Sequence, residues 1–254
     1  MEPFAGGAGA SLRLLVDEYV ENIELNDLDA GVAAFWKAVF FHTEALVDRI
    51  ANAHVTVAEW RKQRDAYASG NARLVDLAFA TFFLNRTNRS GILDARPIGG
   101  LGQSGRWSVD ARFNREELAK RVLFLGRYRN RVTVQRRDGL EFLRDHFTRF
   151  ANDTLYYVDP PYLTNGADLY LDTLAWADHQ QLARLLTKSP AKWILTYDCD
   201  SRVPITLYPR NRCIPFTIAH TAATQHLGTE YAVFSKNLEI SESDVLQLMR
   251  SDAN

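Results

Sequence analysis

Three apolar runs in this chain each stop at an acid, and that pattern restricts the fold more than any other feature of the sequence. Val132-Thr-Val134 leads to Asp138, Thr154 to Val158 leads to Asp159, and Lys192 to Tyr197 leads to Asp198. The segments between them, Gly139 to Phe150 and Asp178 to Thr187, read as helices. Strands alternating with helices predict an α/β fold with a mostly parallel sheet, and in such sheets ligands bind at the carboxyl ends of the strands. Two later runs, near Cys213 to Ile218 and Glu230 to Ser235, fit an antiparallel edge. A chain of 254 residues has room for one large α/β domain, or for a core domain with a smaller insertion.

The second run closes with Asp159-Pro160-Pro161-Tyr162. An acid, two prolines and an aromatic at a strand's end suit chemistry on a planar amino group, although Asp-Pro-Pro is also ordinary turn punctuation. A second motif lies at the other end of the chain, in Glu2-Pro3-Phe4-Ala5-Gly6-Gly7-Ala8-Gly9-Ala10-Ser11. A helix-patterned stretch from Leu12 to Tyr19 follows, and then a short strand, Asn22 to Leu25, ending at Asn26-Asp27-Leu28-Asp29. Glycine loop, helix and acid-ended strand make the front half of a nucleotide-binding unit. Its glycines let backbone N–H groups approach a ligand, and Asp27 is placed to accept hydrogen bonds from ribose hydroxyls.

From Ala30 to about Phe83 apolar residues recur at helical spacing, as in Val32, Phe35, Trp36, Val39 and Phe40. Between Asn85 and Asn114 that periodicity stops, and Gly, Arg, Asn, Ser and Gln dominate until a helix resumes from Arg115 to Tyr128. Long irregular stretches inside a compact domain are usually functional or disordered. The net charge of −1 conceals a strong polarity: residues 85–137 hold twelve Arg and one Lys against two Asp and two Glu, a balance of +9. Such a block fits either a surface that meets phosphates or a solvated basic face.

These motifs, in this order, resemble the class of DNA adenine N6-methyltransferases that includes the Dam methylases. Phe83-Leu-Asn-Arg-Thr-Asn-Arg-Ser-Gly91 is similar to the start of that class's target-recognition segment. The resemblance implies a Rossmann-like catalytic domain made of 1–84 and 129–254, with a target-recognition insertion at 85–128. It also implies S-adenosyl-L-methionine as cofactor, no metal, and double-stranded DNA as partner. Glu2, Phe4, Ala5, Gly6, Gly7 and Gly9 would surround the methionine part of the cofactor, Asp27 the ribose, and Asp138 its adenine, unless Asp138 only caps a helix. Asp159 would face the cofactor's methyl and, with the Pro160 carbonyl, accept the N6–H bonds of the target. Pro161 would fix the backbone, and Tyr162 would stack on a base turned out of the duplex.

The resemblance offers Arg86, Asn88, Arg89, Gln103, Arg106 and Arg112 as DNA contacts, with Trp107 either stacking or packing within the insertion and Tyr170 lining the entrance. Asp-Pro-Pro-Tyr alone would also admit N4-cytosine and some RNA methyltransferases. RNA adenine methylation and a non-catalytic DNA-binding role therefore remain as alternatives. His179, beside a capping Asp178, is read as structural. The chain opens at Met1-Glu2, without the class's glycine-lysine element and leading strand, so truncation or degeneracy is expected, with backbone groups of neighbouring strands left unpaired. Cys199 and Cys213 lack the spacing of a zinc site and read as structural thiols. No run of about 18 apolar residues is present, and a cytoplasmic enzyme is expected.

Overall fold

The computed structural model describes residues 1–70, 72–148, 153–163, 174–220 and 226–241, of which 218–220, 226 and 227 are described by backbone alone. The chain forms two compact units, Met1–Asp27 with Arg137–Asn254, and Leu28–Arg136. Residues 85–128 lie within the second.

In the first unit, α1 (Gly9–Val16) follows the glycine loop and leads to β1 (Ile23–Asn26). The chain returns to this unit with α7 (Gly139–Phe147), β3 (Leu155–Val158), α8 (Trp176–Lys188) and β4 (Lys192–Asp198), followed by β5 (Arg212–His220) and β6 (His226–Phe234). β3 and β4 pair in parallel, with Leu155 opposite Lys192, and β6 then pairs antiparallel with both β4 and β5. The sheet is thus mixed, with its antiparallel side formed by the two late strands. Pro215 lies in β5, the outer strand, where its missing N–H is tolerated.

Met1 and Glu2 occupy the line between β1 and β3. The Met1 nitrogen donates to Leu155 O at 2.8 Å and Tyr157 N–H donates to Met1 O at 2.9 Å. On the other side Glu2 N–H donates to Glu24 O, and Asn26 N–H donates to Glu2 O, both at 2.9 Å. The expected loss of backbone partners is therefore not what these two residues show: their backbone joins the strands on either side.

Alternation along the strands divides the sheet into two faces. Tyr156, Val158, Trp193, Leu195, Tyr197 and Val233 pack in a core with Leu140 and Leu143 of α7 and Leu182 and Leu186 of α8. Ile194, Ile214, Phe216, Ala232 and Phe234 pack together in a second cluster. Trp193 is buried and its indole N–H donates to Leu186 O at 2.9 Å, which ties β4 to the end of α8. His179 is buried with Nδ1 2.6 Å from the Tyr197 hydroxyl, a packing role. Asp178 does not stand at the N-cap as expected. The helix begins two residues earlier, at Trp176, and Asp178 reaches back to accept Ala175 N–H at 2.9 Å.

The second unit is mainly helical: α2 (Ala30–Phe41), α3 (Thr43–Ala51), α4 (Val57–Ser69), α5 (Leu74–Thr87) and α6 (Arg115–Gly126), ending in the strand β2 (Val132–Gln135). Its helices α2 and α5 are largely apolar and bury Trp36, Val39 and Phe40 on the one and Phe79, Phe82 and Phe83 on the other, with Phe35 stacked on Phe82 between them. Asp29 caps α2 by accepting Val32 N–H at 2.9 Å. α5 runs to Thr87, so the irregular segment starts three residues later than its composition predicts.

One close contact fixes the glycine loop. A Cβ on Gly139, the first residue of α7, would lie 2.4 Å from Cε1 of Phe4. Gly139→Ala is therefore expected to displace the Phe4 ring and lower stability by about 1–3 kcal/mol, read as a lower urea midpoint with unchanged slope.

Candidate active site

The loop Pro3–Ala8 bends over the end of β1. Ala5 N–H donates to Asn26 O at 2.8 Å, and Gly6, at φ +44°, donates its N–H to Asp27 Oδ2 at 2.8 Å. The Asp27 carboxylate thereby holds the turn of the glycine loop. Asn26 is fully buried. Its amide donates to Pro3 O at 2.9 Å and to Arg137 O at 3.0 Å, joining the loop to the segment that enters α7. Asp138 caps α7 by accepting Glu141 N–H at 2.9 Å and stays half-buried. Cβ atoms at Gly6, Gly7 and Gly9 would meet nothing within 4 Å, so the space above the loop is open.

Glu2 lies beneath this loop and is only 2% exposed. Its Oε1 accepts Ser11 N–H at 3.3 Å, while Oε2 has no hydrogen-bond partner among the described residues. Desolvation pushes its pKa up to about 7, and the charge of Asp159 adds to the rise. A buried carboxylate oxygen without a donor is an acceptor waiting for one.

Asp159 follows β3, and Thr196 Oγ1 donates to its Oδ1 at 2.7 Å. Close packing of protein around the carboxyl raises its pKa to about 6; the Thr196 bond opposes that rise and the Glu230 charge supports it. Water still reaches the residue, which tempers the rise. Pro160 is buried, and Pro161 and Tyr162 are half-buried. The Tyr162 hydroxyl donates to Glu230 Oε1 at 2.5 Å, and Leu163 N–H donates to Asp198 Oδ1 at 3.1 Å. Glu2, Asp159, Asp198 and Glu230 thus stand at the same end of the sheet, and no three His, Cys, Asp or Glu among the described residues form a group that could hold a metal.

The glycine loop, Asp27, Asp138, Asp159 and Tyr162 all lie in one unit. Asn26, Thr196 and Asp198 belong to the same set but carry no motif. A model of the D12 class of N6 adenine-specific DNA methyltransferases matches residues 1–224. The chain belongs to this family. No match was found among curated proteins.

The D12 family acts on adenine in DNA, which directs attention to the basic segment of the second unit. Its predicted DNA contacts divide into two sets. Asn88 is fully buried: Oδ1 accepts the Trp60 indole N–H at 2.6 Å, and its amide donates to Ile92 O and Leu93 O at 2.8 and 2.9 Å. Arg86 donates twice to Arg112 O at 3.1 Å, and Arg112 donates to Asn85 O and Asn88 O at 2.8 and 2.7 Å. Gln103, at φ +50°, donates to Ile98 O and Gly100 O and accepts Val109 N–H. These four side chains hold the segment in shape. Arg89 is exposed, and Arg106 stacks over Trp107, which is 61% exposed. Tyr170 lies outside the described residues. No helix among the described residues is long and apolar enough to cross a membrane.

Two outcomes follow from this geometry. Asn88→Ala leaves the Trp60 N–H and two carbonyls without their partner, and is expected to cost about 2–4 kcal/mol in a denaturant titration. Glu2 ionises near pH 4.5 when unfolded but only near 7 when folded, so folding loses stability as pH rises through that window. Glu2→Gln should therefore raise the melting temperature at pH 8, by an amount worth about 3 kcal/mol at most, and leave it nearly unchanged at pH 4.

Proposed function

We propose that this chain transfers the methyl group of S-adenosylmethionine to N6 of an adenine turned out of duplex DNA, at a specific sequence. The observation that carries this reading is the Asp159 carboxylate, held by Thr196 at the end of a parallel strand beside Tyr162, in a member of the D12 family. The cofactor supplies an electrophilic methyl on a positively charged sulfur. Its charge suits the acidic strand ends: the open Oε2 of Glu2 fits an ammonium group, and the Asp27 carboxylate beside the glycine loop suits ribose hydroxyls. Phe4 and the glycine loop would line its methionine side, and Asp138, already a helix cap, would border its adenine.

N6 of adenine is a weak nucleophile because its lone pair is delocalised into the ring. Asp159 accepts one N6–H and the Pro160 carbonyl accepts the other, which favours a pyramidal nitrogen with its lone pair turned away from both acceptors. Pro160 and Pro161 restrict the backbone that carries this carbonyl. Tyr162 stacks on the base. The rate gain comes from positioning and fixed electrostatics, and the enzyme forms no covalent bond. Residues 85–128 serve target recognition, with Arg89 and Arg106 meeting phosphates or guanine edges and Trp107 stacking on bases. Arg86, Asn88, Gln103 and Arg112 hold the backbone that carries that surface.

Incubating the full chain with methyl-labelled cofactor and unmethylated genomic DNA, then digesting to nucleosides, tests this. Label is expected in N6-methyladenine; label confined to cytosine, or no label with any DNA, contradicts it. Asp159→Ala should lower kcat by about 10²–10³-fold. Because the carboxylate must be ionised to accept N6–H, kcat of the unsubstituted protein should fall as pH drops through about 6.

A further inference from the structure

Asp198 of β4 and Glu230 of β6 lie directly opposite each other in the antiparallel register, with Thr196 opposite Ala232 two residues along. Like charges in such a pair are unfavourable, and Glu230 is buried as well. Burial raises its pKa, the Tyr162 bond opposes that rise and Asp198 adds to it. What both carboxylates share is a hydrogen bond to the Asp159–Leu163 turn: Asp198 takes Leu163 N–H, and Glu230 takes the Tyr162 hydroxyl.

Stacking on a base needs only an aromatic ring, which phenylalanine supplies equally well. A tyrosine whose hydroxyl is tied to a buried carboxylate gains something further, since a fixed tip removes the swing of the ring about both side-chain torsions. We infer that Glu230 is a positioning residue, which sets the plane of the Tyr162 ring against the target adenine by holding the Tyr162 hydroxyl. The inference rests on the methyl-transfer reading for its consequence, but the clamp itself is a property of the protein alone. Asp159, Asp198 and Tyr157 are the other titratable groups whose charge bears on this corner.

The test is a double-mutant cycle on the full chain, with the label-transfer assay above. Glu230→Ala and Tyr162→Phe should each lower kcat about tenfold, and the double variant should lose no more than either alone, because both remove one bond. Glu230→Gln, whose amide oxygen still accepts, should recover most of the loss. Cofactor affinity should change by less than about threefold in all of them. Independently of activity, 3-fluorotyrosine placed at position 162 should show a shifted ¹⁹F resonance in Glu230→Ala. Losses that add in the double variant, a Glu230→Gln no better than Glu230→Ala, or an unmoved ¹⁹F resonance would each overturn the inference. Absence of methyl transfer by the unsubstituted protein would instead count against the functional reading, and the ¹⁹F measurement would then decide the clamp by itself.

Discussion

Carboxylates gathered at one end of the sheet, two of them buried, are the constraint on which the rest of this structure depends. Glu2 under the glycine loop and Asp159 after β3 are both pushed towards their neutral forms by desolvation, and each is further disfavoured by a neighbouring acid. Asp198 and Glu230 face each other across two strands. A fold optimised for stability alone would not gather four acids there. Each is stabilised instead by a donor from the site: Ser11 N–H, the Thr196 hydroxyl, Leu163 N–H and the Tyr162 hydroxyl. The deficit that remains, the open oxygen of Glu2 above all, is the property that suits a cationic cofactor. Such local cost retained at a site is the pattern expected where function opposes stability.

The surrounding elements serve to hold these groups. Asn26 fastens the loop to β1 and to the start of α7, and Gly139 is small because Phe4 lies against it. The backbone of Met1 and Glu2 carries the loop's origin into the sheet between β1 and β3, which fixes the height at which the Glu2 carboxylate emerges. In the second unit a similar division of labour holds: buried Asn88, half-buried Arg112 and exposed Gln103 tie down a segment that also exposes Arg89, Arg106 and Trp107.

Much of this was legible in the sequence because it follows from short-range rules. Strands ending in Asp159 and Asp198, the late antiparallel pair, the loop at Gly6 and the cap at Asp138 are set by periodicity and by residue chemistry over a few positions. The residues that sequence could not reveal act across long separations. Thr196 reaches Asp159 only because β3 and β4 pair in parallel, and Glu230 reaches Tyr162 only through the register of β6. Asn88 carries the composition of a DNA contact, yet a tryptophan 28 residues earlier, Trp60, claims it for the interior. The role of Asp178 was displaced for a local reason, since a helix start can shift by two residues without changing the periodicity that follows.

The central claim is that the carboxylates clustered at the strand ends, buried Glu2 above all, hold a cationic cofactor. Calorimetric titration of the full chain with S-adenosylmethionine between pH 5 and pH 8 tests it most directly. Affinity should weaken on acidification, as Glu2 and Asp159 take up protons near pH 7 and 6, and Glu2→Gln should flatten that dependence. Absence of binding across the whole range, or binding of the same strength at every pH in both proteins, would contradict it.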